Sequence, residues 1–393
     1  TDLIGHCAGG GTRSNFAAYG CDADERLYFV TDDPDEIIYY GLNGTDSQVP
    51  FNARVVYQIR NEAGTIMVPE SDVPTAGAGC INNANEARIG PNQITAGGYD
   101  AITFNPPATG VYYIEFALVN NNTGNYVNDG FRMHYFDITV YDTVAAEVKT
   151  GRLYSQSWQF YDGDPGGWPS QWDKNSSTFY IYSNDSIITS LEYDELEGRA
   201  WLMYCNSYGC QNTGNFIIDR MSLDAQQALV PEYKIFLNVP DTNIYVPATT
   251  VGQIIEDSTY AEAFCDGTKI IHAWVDKPGN LQAMLVIDPP YLDVTRPATV
   301  VPGENLIFWN GLDGNGLQVP NNTNISLSLS YINGLTNLPL YDIEKNENGF
   351  RIELIAPTSA TTSAPLVYWD DSNITPAGIG TVNLTGCNST LPN

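Results

Sequence analysis

The stretch from Trp309 to Ile355, WNGLDGNGLQVPNNTNISLSLSYINGLTNLPLYDIEKNENGFRIELI, constrains the fold more than any other part of the chain. Polar turns alternate there with short runs of strand-forming residues, the pattern of an all-β extracellular module and not of an enzyme core. Asp313-Gly314-Asn315-Gly316 supplies small residues that tolerate positive φ, so the chain reverses tightly at that point. Beyond it, Ser326 to Tyr331 alternates one side chain inward and one outward, and the segment predicts a hairpin-rich sandwich.

The rest of the chain extends that reading. Tyrosine is abundant, at 25 residues, while Lys, Arg and Met are sparse, a balance that favours strands over helices. Strands are expected at 26–30, 37–40, 54–59, 111–116 and 133–141, separated by clusters of Gly, Pro, Asn and Asp. In the run at 111–116, Tyr113 and Glu115 fall on one face and Tyr112, Ile114 and Phe116 on the other. At 393 residues the chain is too long for one sandwich core. The fold class expected is all-β, with about three tandem β-sandwich domains of immunoglobulin-like or jelly-roll-like type. Their expected bounds are 1–144, 145–290 (containing Cys205 and Cys210) and 291–393, the last ending in a severed linker.

Acidic residues outnumber basic ones 46 to 17, for a formal charge of −29. Nucleic acid is excluded as a partner, because phosphate binding needs a cationic footprint. No apolar run approaches the ~20 residues that span a bilayer, so no transmembrane segment is expected. Thr1 opens directly on mature-looking sequence, and the chain is read as processed or truncated.

The seven cysteines form no C-x-x-C pair and the three histidines are far apart, which argues against structural zinc. Cys205 and Cys210 enclose four residues including Gly209, a spacing that a tight turn between strands can bridge with a disulfide. Asp32, Asp33 and Asp35, and separately Asp162 and Asp164, offer oxygen ligands for calcium. Neither run has the spaced pattern of a calcium loop, and solvated turns use Asp in the same way. Trp168 and Trp172, beside Gly166-Gly167, are candidate sugar-stacking residues, together with Trp158, Trp201 and Tyr161. In all-β proteins, however, tryptophan more often plugs the core. No nucleophile elbow, zinc-protease helix or phosphate loop occurs, so the chain is expected not to be an enzyme and to need no cofactor, calcium being the one ion considered.

A resemblance emerges along residues 150–387. Phe179-Tyr180-Ile181-Tyr182-Ser183, Cys205-Asn206-Ser207 with Gly209-Cys210, and Trp309-Asn310-Gly311-Leu312-Asp313-Gly314 carry it, with Tyr368-Trp369-Asp370-Asp371-Ser372 and Asn383-Leu384-Thr385-Gly386-Cys387. In these motifs the chain resembles the amino-terminal region of large gliding-motility and adhesin-type surface proteins of Bacteroidota, exported by the type IX secretion system. The resemblance implies an extracellular location on the surface of a Gram-negative bacterium and a longer chain or filament to which this one belongs. It also implies dealings with the outer-membrane export and motility machinery. The sequence departs from the family at its end, where relatives place another cysteine soon after the Leu-Thr-Gly-Cys motif. In such bacteria, Asp-Ser/Thr motifs carry O-glycans, which marks Thr143, Ser186 and Ser258. The function expected is a non-enzymatic adhesin segment for attachment or gliding that contacts extracellular polysaccharide or another surface. A secreted carbohydrate-binding or glycoside-processing protein and a passive spacer are the alternatives.

Overall fold

The structure, a computed structural model, describes residues 2–5, 15–43, 52–127, 130–161, 175–198, 200–213, 216–221, 230–265, 267–341, 343, 345–346, 348–358, 367–369 and 387–389. The chain is all-β, with several antiparallel sheets and two short helices among the described residues. Its first strands are β1 (Asp2–Gly5), β2 (Leu27–Thr31), β3 (Glu36–Leu42), β4 (Ala53–Asn61), β5 (Ile66–Asp72), β6 (Ile102–Phe104), β7 (Gly110–Asn120), β8 (Tyr126–Val127) and β9 (Phe131–Met133). There follow β10 (Phe136–Asp142), β11 (Glu147–Lys149), β12 (Leu153–Ser155), β13 (Ser157–Tyr161), β14 (Asn175–Tyr182), β15 (Ile188–Glu197), β16 (Ala200–Tyr204) and β17 (Lys234–Phe236). A second group comprises β18 (Tyr260–Ala263), β19 (Lys269–Val275), β20 (Gly279–Ile287), β21 (Val294–Val300), β22 (Gly303–Trp309) and β23 (Ile325–Ile332). The chain then adds β24 (Leu340–Tyr341), β25 (Lys345–Asn346) and β26 (Phe350–Ala356), and a short hairpin of β27 (Val367–Trp369) with β28 (Cys387–Ser389).

An 11-stranded sheet forms the back wall of the larger body, in the order β25-β15-β14-β17-β12-β2-β7-β4-β5, with β26 beside β15 and β8 beside β7. A five-stranded sheet (β24-β16-β13-β1-β9) and a four-stranded sheet (β11-β10-β3-β6) both contribute to one core with it. Trp158, Phe160 and Trp201 come from the five-stranded sheet, Phe104 and Ile138 from the four-stranded one, and Phe29, Tyr112, Phe179 and Tyr193 from the wall. Strand alternation explains the wall's two buried faces. Tyr112, Ile114 and Phe116 enter that core as expected, while Tyr113 turns to the opposite face.

On that opposite face the registers align Tyr113, Tyr28, Tyr154, Phe236 and Tyr180 as direct cross-strand neighbours on five adjacent strands. Tyr28 stacks on Tyr154 at 5.1 Å between ring centroids. Such aromatic pairs contribute beyond their burial, by about 0.5–1.5 kcal/mol each. The segment after β17 closes over this row, with Tyr245 packed edge-on to Phe236 at 4.8 Å. The covering segment is clipped down where Arg152 Nε meets Asp241 Oδ2 at 2.7 Å and Asp241 N donates to Gly151 O.

The second group of strands makes a smaller sandwich of two three-stranded sheets, β18-β19-β22 and β21-β20-β23. Ile271, Ala273, Val275, Leu281, Ala283 and Ile307 fill its centre, and Trp309, Leu285 and Val294 one end. This sandwich is an insertion: the chain leaves the large body after β17 and re-enters it at β24, which pairs with β16, and at β25 and β26, which pair with β15. Its entry and exit are tied together, because Gly252 N donates to Asn333 Oδ1 at 2.7 Å. Both lean on the turn at 183–187, through Ala248 N to Ser186 O and Gly334 N to Asp185 Oδ2.

The observed partition differs from one divided at 144/145 and 290/291. Across the first position, β12 pairs with β2 and β13 with β1, so the strands on its two sides share sheets. The second falls between β20 and β21, which pair over seven residues within the inserted sandwich. Composition marks turns, whereas strand order depends on long-range pairing that leaves no local trace.

The hairpin expected around Asp313 is also revised. The reversal exists: Asp313 Oδ1 accepts from Asn315 N and Leu317 N, Gly316 has φ +80°, and Leu312 bridges to Gln318. The flanking strands β22 and β23 do not pair with each other, however. They lie in different sheets, β22 beside β19 and β23 beside β20, so the tight turn sits inside a crossover.

Candidate functional site

Cys205 and Cys210 are not joined in a disulfide. The turn anticipated between them is present, but Asn206 closes it. Its Nδ2 donates to Gly209 O at 3.0 Å and Val230 O at 2.9 Å, and its Oδ1 accepts from Tyr208 N and Gly209 N. The Cys205 side chain is a fully buried member of the large core, and burial pushes its thiol well above the usual range. The expected bridge is not formed: both thiols are free, and the turn is held by the Asn206 side chain instead.

Asp32, Asp33 and Asp35 lie in the exposed turn between β2 and β3. Asp33 Oδ1 accepts from Asp35 N at 2.9 Å, and Glu36 Oε2 accepts from Asp32 N at 2.7 Å, so the acids order the turn's own main chain. Among the described residues no group of three or more His, Cys, Asp and Glu is arranged to hold a metal ion. Asp162, Asp164, Trp168 and Trp172 lie outside the described residues. Trp158, Trp201 and Tyr161 are core residues, with Trp158 Nε1 donating to Ile235 O at 2.9 Å, so these three form no exposed sugar platform. Thr143 and Ser258 are exposed, whereas Ser186 is half-buried at the junction and its hydroxyl accepts from that of Tyr182.

A feature not anticipated from sequence lies on the solvent-facing side of β18-β19-β22. Alternation sends Ile271, Ala273, Val275, Ile307 and Trp309 inward. It leaves Tyr260, His272, Trp274, Leu306 and Phe308 on the outer side. Phe308 is 59% exposed, and Leu306 and Tyr260 are each 49% exposed. Tyr260, directly opposite His272 in the pairing, stacks on its ring at 4.3 Å between centroids and 7° between planes. Glu304 Oε1 lies 2.7 Å from His272 Nδ1, and Glu262 Oε2 lies 3.6 Å from Nε2. His272 on β19 thus hydrogen-bonds with Glu304 on β22 while the Glu262 carboxylate of β18 lies alongside, with exposed apolar and aromatic side chains beside this row.

This face combines flat apolar area with carboxylate oxygens that accept hydrogen bonds, the chemistry of binding. The local signal was present in Lys269-Ile270-Ile271-His272-Ala273-Trp274-Val275 and Gly303-Glu304-Asn305-Leu306-Ile307-Phe308-Trp309. Both faces of these runs read as apolar, so alternation alone did not decide which of them meets water. Comparison with known proteins found no matching family, no matching curated protein and no matching solved structure.

Proposed function

We propose that the chain is a non-enzymatic segment of an extracellular adhesin on a Gram-negative surface, acting in attachment or gliding. The inserted sandwich presents its outer sheet face to extracellular polysaccharide. The single observation that carries this reading is the exposed row of Tyr260, Leu306 and Phe308 beside the Glu262, His272 and Glu304 side chains. Sugar rings offer C–H faces that pack on exposed aromatic side chains, and hydroxyls that donate to carboxylates. A neutral polysaccharide suits the site best, since the chain's charge of −29 repels anionic polymers. On this reading the large body is the rigid mount: the insertion is held at both ends, and the central strands of the mount's wall, β7, β2, β12, β17 and β14, are buried on both faces. The chain is one part of a longer filament displayed through the export and motility machinery.

The test is a glycan array and polysaccharide pull-down with the intact chain and with the Tyr260→Ala/Phe308→Ala double variant. Binding by the first that falls about tenfold or more in the second supports the reading, as loss of stacking at about 1.4 kcal/mol predicts. Equal binding by both, or none by either, rejects this face as the polysaccharide site.

A further inference from the structure

The edges of the sheets point to a second property of the inserted sandwich. An edge strand presents unpaired N–H and C=O groups, and proteins blunt such edges with charge, proline or short length. Edge strand β5 carries Pro69, Glu70 and Asp72; β26 carries Arg351 and Glu353; β21 carries Arg296 and Pro297. β18 and β22 carry Glu262 and Glu304, and β11 carries Glu147 and Lys149. Edge strands β6, β9 and β24 are no longer than three residues. β23, Ile-Ser-Leu-Ser-Leu-Ser-Tyr-Ile, is eight residues long and has neither charge nor proline. Among the described edge strands of four residues or more it is the sole such case.

The same side of the sandwich is open. β21 and β22, joined through Val301 and Pro302, close one side, leaving β18 and β23 at the other. There, side chains on the core-facing side meet solvent. Leu327 is 37% exposed although it stands opposite the buried Leu285, and Ala261 is exposed opposite the buried Ile271. One further strand beside β23 would cover Leu327 and complete the row.

We propose that β23 pairs with β23 of a second copy of this chain, antiparallel about a two-fold axis at Ser328, so that the two sheets continue into one. The strand is self-complementary in that register. Leu327 faces Leu329 of the partner copy and Ile325 faces Tyr331 on the core side, while Ser326 faces Ser330 and Ser328 faces itself on the outer side. The absence of charge matters most, because copies carrying −29 each repel elsewhere and can meet main chain to main chain only along a neutral strand. Two-fold pairing of this kind is isologous and closes at a dimer. The inference stands independently of the polysaccharide reading, since that face and this edge are different surfaces.

The test is the solution mass of the intact chain from about 1 to 100 μM, a span centred on the affinities of modest interfaces. Two variants accompany it. Ser328→Lys places like charges directly opposite each other at the axis, on an already exposed position. Ser328→Cys places two thiols within the ~4.5–5.5 Å Cα separation of antiparallel neighbours, which a disulfide spans. The expected result is a mass rising toward twice 43.1 kDa. Association should weaken about fivefold in S328K with thermal unfolding unchanged at dilutions where both chains are monomeric, and mild oxidation of S328C should give a peptide linked through residue 328 to itself. A chain monomeric throughout overturns the proposal. So does a dimer indifferent to S328K that yields no 328–328 link, or a monomer that captures an extended peptide of another protein instead.

Discussion

Arg152 and Glu36, 116 residues apart, form an enclosed ion pair in which Nη2 lies 3.1 Å from Oε1 and the side chains are only 4% and 1% exposed. The same guanidinium reaches Asp241 through Nε and Val30 O through Nη1. It therefore joins β2 and β3 of the mount to the segment that covers the aromatic row. Removing one partner of a buried pair strands the other charge in low dielectric. Arg152→Met is expected to lower stability by about 3–5 kcal/mol in denaturant unfolding. The Arg152→Met/Glu36→Gln double variant should recover part of that loss. A single variant as stable as the parent would refute the clamp.

Gly151 tests the same attachment through the backbone. It has φ +70°, and a Cβ there would lie 2.0 Å from Val239 O and 2.5 Å from Asp241 N. Gly151→Ala should push the covering segment off the wall and cost about 2 kcal/mol or more, from the unfavourable φ together with the overlap. Increased amide exchange confined to 239–248 would be the signature.

Asn206 supplies the lock at the 205–210 turn. Asn206→Ala leaves the carbonyls of Gly209 and Val230 and the N–H groups of Tyr208 and Gly209 without this partner. The expected loss is about 2–4 kcal/mol, since buried groups left unsatisfied each cost ~1–3 kcal/mol and part of the turn can reach water. In native thiol labelling at pH 8, exposed Cys265 should react first among the described cysteines. Cys21, whose thiol burial pushes up to about 12, and fully buried Cys205 should label only after unfolding. Recovery of a Cys205–Cys210 linked peptide from protein kept under native oxidising conditions would contradict the arrangement.

Asp313 gives the inserted sandwich an acid-sensitive turn. Burial acts to raise its pKa, but main-chain N–H groups of Leu292, Leu317 and Asn315 outweigh it and hold the carboxyl below its usual value. A depressed carboxylate contributes stability that is full above the unfolded pKa of ~3.9 and fades as pH falls through the lower folded value. Asp313→Ala should lower stability at pH 7 and flatten the acid limb below about pH 4, measured by urea unfolding across pH. An unchanged acid limb would exclude Asp313 as a contributor.

Much of the local structure was legible in the residues themselves. The strand at 111–116 and its two faces follow from alternation, because a side-chain period of two is a property of the extended backbone. The turn at Asp313 likewise follows from Asp, Gly and Asn chemistry within a few residues. The candidate site was only half legible. The run Leu306-Ile307-Phe308-Trp309 is apolar on both sides, so nothing local says that Trp309 is sealed in the core while Phe308 meets water.

The amino-acid sequence by itself determined the all-β class, the acidic surface and the positions of many strands, because these rest on composition, period and turn chemistry, which act over a few bonds. Only the tertiary structure decided that strands on both sides of residue 144 share sheets and that a sandwich is inserted between β17 and β24. It also decided that Asn206 closes the turn beside Cys205 and that β23 is left as an edge among the described residues. Those outcomes depend on which distant strands find each other. Main-chain pairing is nearly indifferent to sequence, and the selection comes from side chains meeting across hundreds of residues in the packed core.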